Sequence, residues 1–335
     1  MLDGCLKEQN LKFRDLDLSD NPINAEHREL GIPPLEEMAL HPGAHPVLRM
    51  AMWLAVFMLI GATLFLVARL FSEHGAVGAE QIVMETLQSR IFWSAVAVGL
   101  LAQVIDGALG MAYGLTSTTF LLATGVSPAV ASASVHIAEV FTTGVSGIAH
   151  VKLGNVNKSL FLRLLLPGIA GAVLGAVLLS SIDGKVLKPY ISVYLLLMGI
   201  YIISKVFRKL KTAKHAPRHV AKLALFGGFV DSVGGGGWGP VVTTTLVGSG
   251  HDPRATIGTV NFAEFFLTFA SAIAFAFLVG EGPWPIVAGL VLGGLFAASF
   301  AAYLSKRLHA RTVLILVGAL ISAVSVFNLY KSFFG

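Results

Sequence analysis

The sequence has few charged residues and almost no cysteine. Of its 335 residues only 13% are Asp, Glu, Lys or Arg, while 55% are hydrophobic; a soluble domain carries about 25% charged residues. This composition excludes a disordered chain, a nucleic-acid-binding domain and an ordinary soluble enzyme. The single cysteine, Cys5, excludes an internal disulfide bond and a metal site built from cysteines. What remains is a protein whose environment is the lipid bilayer.

Long apolar runs are missing from residues 1–46. This segment holds nine of the 19 acidic residues and five of the 13 prolines. It lacks the basic start and apolar core of a signal peptide. We therefore interpret it as a water-exposed cytosolic arm without a function of its own.

Apolar runs of about 20 residues, enough to cross a bilayer, begin at residue 47. The clean candidates lie at 47–71, 128–150, 159–182, 189–207, 253–279, 284–304 and 312–330. Two further regions, 91–124 and 222–249, are too long for one membrane crossing and too short for two. Both are interrupted by glycines, a pattern typical of broken or re-entrant helices at a transport site.

The two halves of the apolar part match at a constant offset of 125 residues. The matches fall on rare polar and backbone-special residues, so shared hydrophobicity does not explain them. They pair Asp106 with Asp231, Gly110 with Gly235, Tyr113-Gly114 with Trp238-Gly239, Thr118 with Thr243, Pro128 with Pro253, and Glu139 with Glu264. The chain is therefore read as an internal duplication.

Lys and Arg in short loops set the orientation of membrane proteins, since cytoplasmic loops carry the excess. If each glycine-rich region enters and leaves on one side, the basic loops near 152–163, 205–222 and 306–311 all fall inside. The predicted fold is an all-α polytopic membrane protein of two inverted-topology repeats. Each repeat is a glycine-broken re-entrant hairpin plus three transmembrane helices, and one extra N-terminal transmembrane helix precedes them. The predicted units are a cytosolic arm (1–46), the extra helix (47–71), the first repeat (91–207), a basic cytoplasmic linker (208–221) and the second repeat (222–331), with the whole placed in the cytoplasmic (inner) membrane.

Four carboxyl groups lie inside apolar segments, where ionisable residues are costly and usually face a cavity or a partner. They form two pairs related by the offset, Asp106 with Asp231 and Glu139 with Glu264. A carboxyl that is removed from water can carry a proton, so all four are candidate proton-coupling groups. The alternative for the two aspartates is that they satisfy free backbone N–H groups at a broken helix. His136 and Asn261 each precede a glutamate by three residues, on the same helical face.

Glycine clusters let a backbone turn sharply and expose its N–H groups, and a helix that begins there attracts an anion. The second cluster, 234–239, is followed by Pro240, which suits the first turn of a helix. The glycines at 168, 171 and 175 recur at helical spacing and instead predict close helix packing. The predicted substrate-binding residues are Gly110, Tyr113, Gly114, Thr118, His136, Gly235, Gly236, Trp238, Gly239, Thr243 and Asn261.

These doubled motifs resemble the TauE/SafE family of sulfite and organosulfonate transporters. The likeness rests on the paired glycine-rich motif, the Thr-containing segment, the Gly-x-x-Pro turn and the polar mid-helix patch, and it covers about residues 90–330. The first half departs from the usual glycine run at 106–114. The resemblance implies a secondary transporter that moves a small sulfur-containing anion, by export more often than uptake.

Two other readings stay open on the residues alone. A divalent cation transporter could use the carboxyls and His136 as ligands, although further Cys, Met or His along the pathway are absent. An intramembrane aspartyl protease could use Asp106 and Asp231 as a dyad, but neither aspartate follows a Gly-x-Gly pattern. We expect no cofactor, no resident metal and no nucleic acid; the partners are a small anion and the lipid bilayer. The substrate, the direction, the coupling ion, the oligomeric state and the role of the arm are not determined by the sequence.

Overall fold

The computed structural model describes residues 45–109, 111–207, 219–249, 251, 253–279, 282–305 and 310–334. Predictions that concern the arm before residue 45, most of the basic linker and Gly110 lie outside these residues. Within them the regular structure is helical throughout. Eleven α-helices are described, together with one π-helical turn at Gly239–Thr243. The α-helices are α1 (Pro46–Gln88), α2 (Arg90–Leu109), α3 (Tyr113–Thr124), α4 (Pro128–Lys152), α5 (Lys158–Ser181), α6 (Gly184–Val206), α7 (Val220–Gly234), α8 (Thr244–Gly248), α9 (Pro253–Leu278), α10 (Trp284–Ser305) and α11 (Ala310–Phe334).

Polar caps begin several of these helices. The Ser127 hydroxyl accepts the backbone N–H of Val130, and Pro128 occupies the first turn of α4. The side chain of Asn157 caps α5, and that of Asp183 caps α6. Such caps satisfy N–H groups that have no partner within the helix. Helix starts are therefore fixed locally by the sequence.

Helix α1 is longer than the predicted 47–71 span. It continues to Gln88 and bends at Gly75, where φ is 66°. Glycine adopts this left-handed conformation without the steric cost of a Cβ atom. The bend separates a membrane-length segment from a second helical segment that lies beyond the predicted span.

The boundaries of the helices follow the offset of 125 residues. Helices α2 and α7 end at Leu109 and Gly234, and helices α4 and α9 begin at Pro128 and Pro253. Both glycine-interrupted regions consist of helical segments separated by a short break. The described residues of the breaks are 111–112, between α2 and α3, and 235–237, between α7 and the π-helical turn.

The two halves interlock in their packing. Helix α2 packs against α10, and α7, its counterpart, packs against α5, the counterpart of α10. Helix α4 packs against α9, and α6 against α11. The predicted packing role of the glycines on α5 is confirmed, because Gly171 lies against the backbone of Leu225 and Gly175 against that of Phe229. Because glycine has no side chain, the two helix backbones can approach each other closely.

Large apolar side chains face outward over much of the structure. Phe277 is 86% exposed, Phe334 78% and Leu166 72%. Within the described residues, five helices are long and apolar enough to cross a membrane: those at Pro46–Gln88, Lys158–Ser181, Gly184–Val206, Ala255–Leu278 and Leu314–Phe334. Helix α4 has 25 residues but carries the polar groups described below. An apolar exterior around polar interior helices indicates a multi-pass membrane protein.

Candidate functional site

The two helix breaks cross each other at glycines. A Cβ atom at Gly236 would lie 2.7 Å from the Cα atom of Gly114, and a Cβ atom at Gly114 would lie 2.8 Å from Oε1 of Glu139. Gly236 also has a φ of 141°, a conformation that residues with side chains rarely adopt. Only glycine therefore allows the two backbones to meet beside Glu139.

Asp231 organises the second break. Its Oδ1 atom accepts the backbone N–H groups of Gly237 at 2.8 Å and Trp238 at 2.9 Å. Its own carbonyl oxygen accepts the N–H of Gly236. The sequence predicted that N–H groups of this glycine run would hold an anion, but those of Gly237 and Trp238 are used by Asp231. The Asp231 carboxylate therefore occupies part of the predicted anion-binding site. This agrees with the alternative interpretation, in which the aspartates satisfy free backbone N–H groups at a broken helix.

His136 holds the other oxygen of Asp231. Its Nε2 atom lies 3.3 Å from Asp231 Oδ2, and both side chains are almost completely buried. The opposite ring nitrogen, Nδ1, lies 2.8 Å from the carbonyl oxygen of Ser132. The Ser132 hydroxyl donates to the carbonyl oxygen of Ser232 on α7. Helix α4 is thereby tied to the second break through a buried chain of polar groups.

Asp106 has a similar but simpler position at the first break. Its carboxylate faces the backbone N–H of Tyr113, which is the counterpart of Trp238 at the offset of 125. The Tyr113 hydroxyl donates to the carbonyl oxygen of Leu290 on α10 at 3.0 Å. Between them, Ala112 has a φ of 92°, a conformation that is unfavourable for a residue with a Cβ atom.

A narrow cavity, with room for about one water molecule, lies where the breaks cross. All four predicted carboxyls line it, two from each half. The other lining residues include backbone from both breaks; the full set is Asp106, Met111, Ala112, Tyr113, Gly114, Leu115, Glu139, Thr143, Asp231, Gly236, Gly237, Gly239, Pro240 and Glu264. Neither lysine nor arginine is found among these lining residues. The cavity is thus rich in acidic groups and poor in cations.

The two glutamates differ in their surroundings. Glu139 is 2% exposed, and its Oε2 atom has no hydrogen-bond partner among the described residues. Glu264 is only partly buried. The threonine four residues after each glutamate, Thr143 or Thr268, donates to that glutamate's carbonyl oxygen. A buried carboxyl oxygen without a partner is rare in proteins, and its presence marks a functional position or an unseen ligand.

The predicted binding residues Thr118, Trp238, Thr243 and Asn261 do not line the cavity. The Thr118 hydroxyl donates to the carbonyl oxygen of Gly235. The indole of Trp238 is fully buried and donates to the carbonyl oxygen of Val260 at 3.0 Å. Thr243 is buried in the π-helical turn. Asn261 is buried, and its Oδ1 atom has no partner among the described residues.

Two side chains on α6 were not predicted as part of the site. The Tyr194 hydroxyl donates to the carbonyl oxygen of Gly236 at 2.8 Å. The Lys205 ammonium contacts Met111, which lines the cavity. Sequence reasoning assigned Lys205 to the basic linker, and nothing in the pattern around Tyr194 distinguishes it from other interfacial tyrosines. Both depend on how α6 packs, which the sequence alone does not show.

Apolar helices around a buried polar cavity define a membrane transport protein. The model of the family "Sulfite exporter TauE/SafE" matches residues 95–328, and the chain belongs to this family. It is also similar to the "Probable membrane transporter protein YtnM" of Bacillus subtilis (strain 168), with 46% identity over 237 residues, which are 68% of this chain and 79% of the relative. No solved structure matches the chain significantly. Family and relative are transporters, not enzymes, so the protease reading is set aside.

Proposed function

We propose that the protein is a secondary transporter that exports a small sulfur-containing anion, sulfite or an organosulfonate, with coupling to protons. The observation that carries the proposal is the meeting of Asp106, Glu139, Asp231 and Glu264 around one cavity at the crossing of the two breaks. The name of the matched family supports the substrate class. Duplicated motifs that converge on one cavity are typical of transporters with a midplane site.

The architecture that we infer is a pair of inverted repeats. Support comes from the contacts of α4 with α9, where Gly144 lies against Phe265 and Gly147 against Phe262. Residue numbers rise along one helix as they fall along the other, so these counterparts run antiparallel. On α6 and α11, Gly199 lies against Ser322 and Gly318 against Ile203, which indicates the same relation. Counterparts that run in opposite directions are what an inverted duplication requires.

Re-entrant hairpins follow from the same reasoning. Helix α7 runs parallel to α5, because Gly171 meets Leu225 and Gly175 meets Ser232. Short loops join α4 to α5 and α5 to α6, which makes consecutive helices antiparallel. With these directions, the start of α7 and the start of α9 lie on the same side of the membrane as the end of α6. The second glycine-rich region then enters and leaves on that side, and the first one does so on the opposite side.

The side with the basic linker is proposed to be cytoplasmic. The ends of α4 and α6, with Lys152 and Lys205 in their last turns, and the end of α10 all point to that side in this arrangement. Positive charge in short loops is retained in the cytoplasm. The N-terminal end of α1 lies there too, since His45 contacts Lys158 at the start of α5.

Transport of an anion past four carboxyls requires control of their charge. An ionised carboxylate repels an anion, so the substrate enters when the cavity carboxyls are protonated. Asp231 is held by two N–H groups and His136, and it is best suited to remain fixed. Glu139, with an oxygen that lacks a partner, and Glu264, which is less buried, are the groups best placed to exchange protons with the two sides.

The test is flux in proteoliposomes with and without a proton gradient. We expect wild-type protein to carry sulfite or a sulfonate, and Glu139→Gln to reduce gradient-driven flux at least tenfold, with a smaller loss for Glu264→Gln. Glutamine keeps the size of the side chain but cannot release a proton. Unchanged gradient-driven flux in both variants would show that these residues are not the coupling groups.

A divalent cation transporter is a second candidate, favoured by one cluster. Ligand atoms of His136, Glu139 and Asp231 all lie within 4.8 Å of one another, and imidazole and carboxylates suit such ions. Against it, Asp231 Oδ1 is already bonded to two N–H groups. Including Mn²⁺ and Zn²⁺ in the same flux assay separates the two functions, because only a cation transporter carries these ions in the absence of sulfite.

A further inference from the structure

Lys205 lies beside the cavity, near the end of α6. Its Nζ atom is 2.7 Å from the Thr244 hydroxyl and 3.1 Å from the sulfur of Met111. Met111 lines the cavity, so a single flexible side chain separates the ammonium from the cavity space. Thr244 begins α8, the segment that leads away from the second break toward the linker side.

The ammonium has no anionic partner among the described residues. Lysine offers three N–H donors, and a thioether is a weak acceptor. The hydroxyl of Thr244 is thus the one strong acceptor in contact, while the ring of Tyr201 lies 5.9 Å away. A cation that is half-buried without a counter-ion is costly. An anion that binds at this point would accept the remaining N–H groups of the Lys205 ammonium.

Lys205 also departs from the internal duplication. Its counterpart at the offset of 125 is Tyr330, which is 63% exposed, and the counterpart of Met111 is Gly236. The carboxyls and the breaks are present twice, whereas this cation is present at one end of the cavity only. A feature that occurs in one repeat can distinguish the two sides of the membrane, which a symmetric feature cannot.

We propose that the Lys205 ammonium is a substrate-binding residue that captures the oxyanion at the linker-side end of the cavity. This inference rests on the proposed anion transport. The thioether of Met111 is flexible and adaptable, and its displacement gives an oxyanion access to the ammonium. Charge-assisted N–H···O bonds to sulfite or sulfonate oxygens then replace the weak contact with sulfur. The anion is held there by a positive charge before it reaches the acidic cavity.

The experiment compares three lysine variants of the full-length protein in proteoliposomes with linker-side access to substrate. Lys205→Gln removes the charge and keeps a group that can bond to Thr244, while Lys205→Arg keeps the charge. Lys222→Gln removes an exposed lysine near the start of α7 and serves as the matched control for net charge. For sulfite, we expect Lys205→Gln to raise KM about tenfold or more, Lys205→Arg to restore most of the affinity, and Lys222→Gln to behave as wild type.

The outcomes separate this inference from the proposed function. If wild type carries sulfite or a sulfonate and Lys205→Gln keeps its KM, the role of Lys205 is refuted and the anion transporter stands. A shift in the pH profile with unchanged KM refutes it equally, because that result indicates charge compensation of the carboxyls. If wild type carries only Mn²⁺ or Zn²⁺, or none of these ions, both proposals are overturned.

Discussion

Each helix break has an aspartate at the equivalent position, Asp106 or Asp231, but the two breaks are held by different numbers of contacts. At the second break, Asp231 accepts two backbone N–H groups and contacts His136, and side chains from α3 and α6 bond to the carbonyl oxygens of Gly235 and Gly236. At the first break, the described contacts are those of Tyr113, whose backbone N–H faces the Asp106 carboxylate and whose hydroxyl donates to the carbonyl oxygen of Leu290. There the backbone also passes through an unfavourable conformation at Ala112.

This difference indicates separate tasks for two copies of one motif. The second break is a fixed platform, because its polar groups are bonded on several sides and fully bonded buried networks are rigid. Among the described residues the first break has fewer bonds, and it contains strain, which persists only where surrounding structure maintains it. The two breaks are thus similar in sequence position but unequal in the residues that hold them.

The largest effect on stability and flux is expected from Gly236→Ala, which places a methyl group where the two breaks cross. The added Cβ atom would meet the backbone of Gly114 at 2.7 Å, at a φ of 141°. Backbone strain and overpacking together cost about 3 kcal/mol or more, so we expect a strongly lowered thermal unfolding temperature and loss of flux. Thermal unfolding in detergent measures the first effect.

The matched control is Gly61→Ala on α1, where an added Cβ atom meets nothing within 4 Å. We expect it to leave both stability and flux unchanged within error. Equal unfolding temperatures for the two alanine variants would contradict the close crossing of the breaks.

An intermediate effect on stability and flux is expected from His136→Asn. This change gives the first half the residue that the second half has at the equivalent position, Asn261. Asp231 Oδ2 would lose the ring nitrogen now 3.3 Å away. Loss of a buried bond to a charged group costs about 1.5–3 kcal/mol. We expect thermal stability to fall accordingly and flux to fall about tenfold.

Asn261→Ser provides the comparison for that variant. The Oδ1 atom of Asn261 has no partner among the described residues, so this change should cost clearly less than His136→Asn. If both changes destabilise the protein equally, the two positions are equivalent and the second break is not specially anchored.

The smallest effect is expected from Ala112→Gly at the first break. Glycine tolerates the φ of 92°, so the variant should gain up to about 1 kcal/mol of stability. Gly237 occupies the counterpart position in the second half, which shows that glycine is compatible with such a break. A lower unfolding temperature in Ala112→Gly would mean that the alanine methyl group makes a stabilising contact that outweighs the strain.

The sequence predicted the parts of the site that repeat. Asp106, Glu139, Asp231 and Glu264 were recognised because carboxyls are rare in apolar segments and recur at a fixed offset, and the structure brings all four together. The breaks and the glycine packing on α5 were also predictable, since glycine clusters and helical spacing are local signals.

The parts that escaped prediction depend on contacts between distant segments. The sequence left two roles open for Asp231, and only the fold shows that this carboxylate binds the N–H groups of Gly237 and Trp238. Tyr194 and Lys205 join the site only because α6 packs beside the second break. Helix α1 bends at Gly75, but the chain is helical on both sides of the bend, so the helix extends beyond the predicted span.

The interlocked packing has a consequence for biosynthesis. Helix α2 is made early, yet its main packing partner is α10 near the other end of the chain. Until α10 leaves the ribosome, the face of α2 that packs against α10 has no partner. Insertion into the membrane must therefore precede assembly, and the first half must wait in the bilayer until the second half is complete.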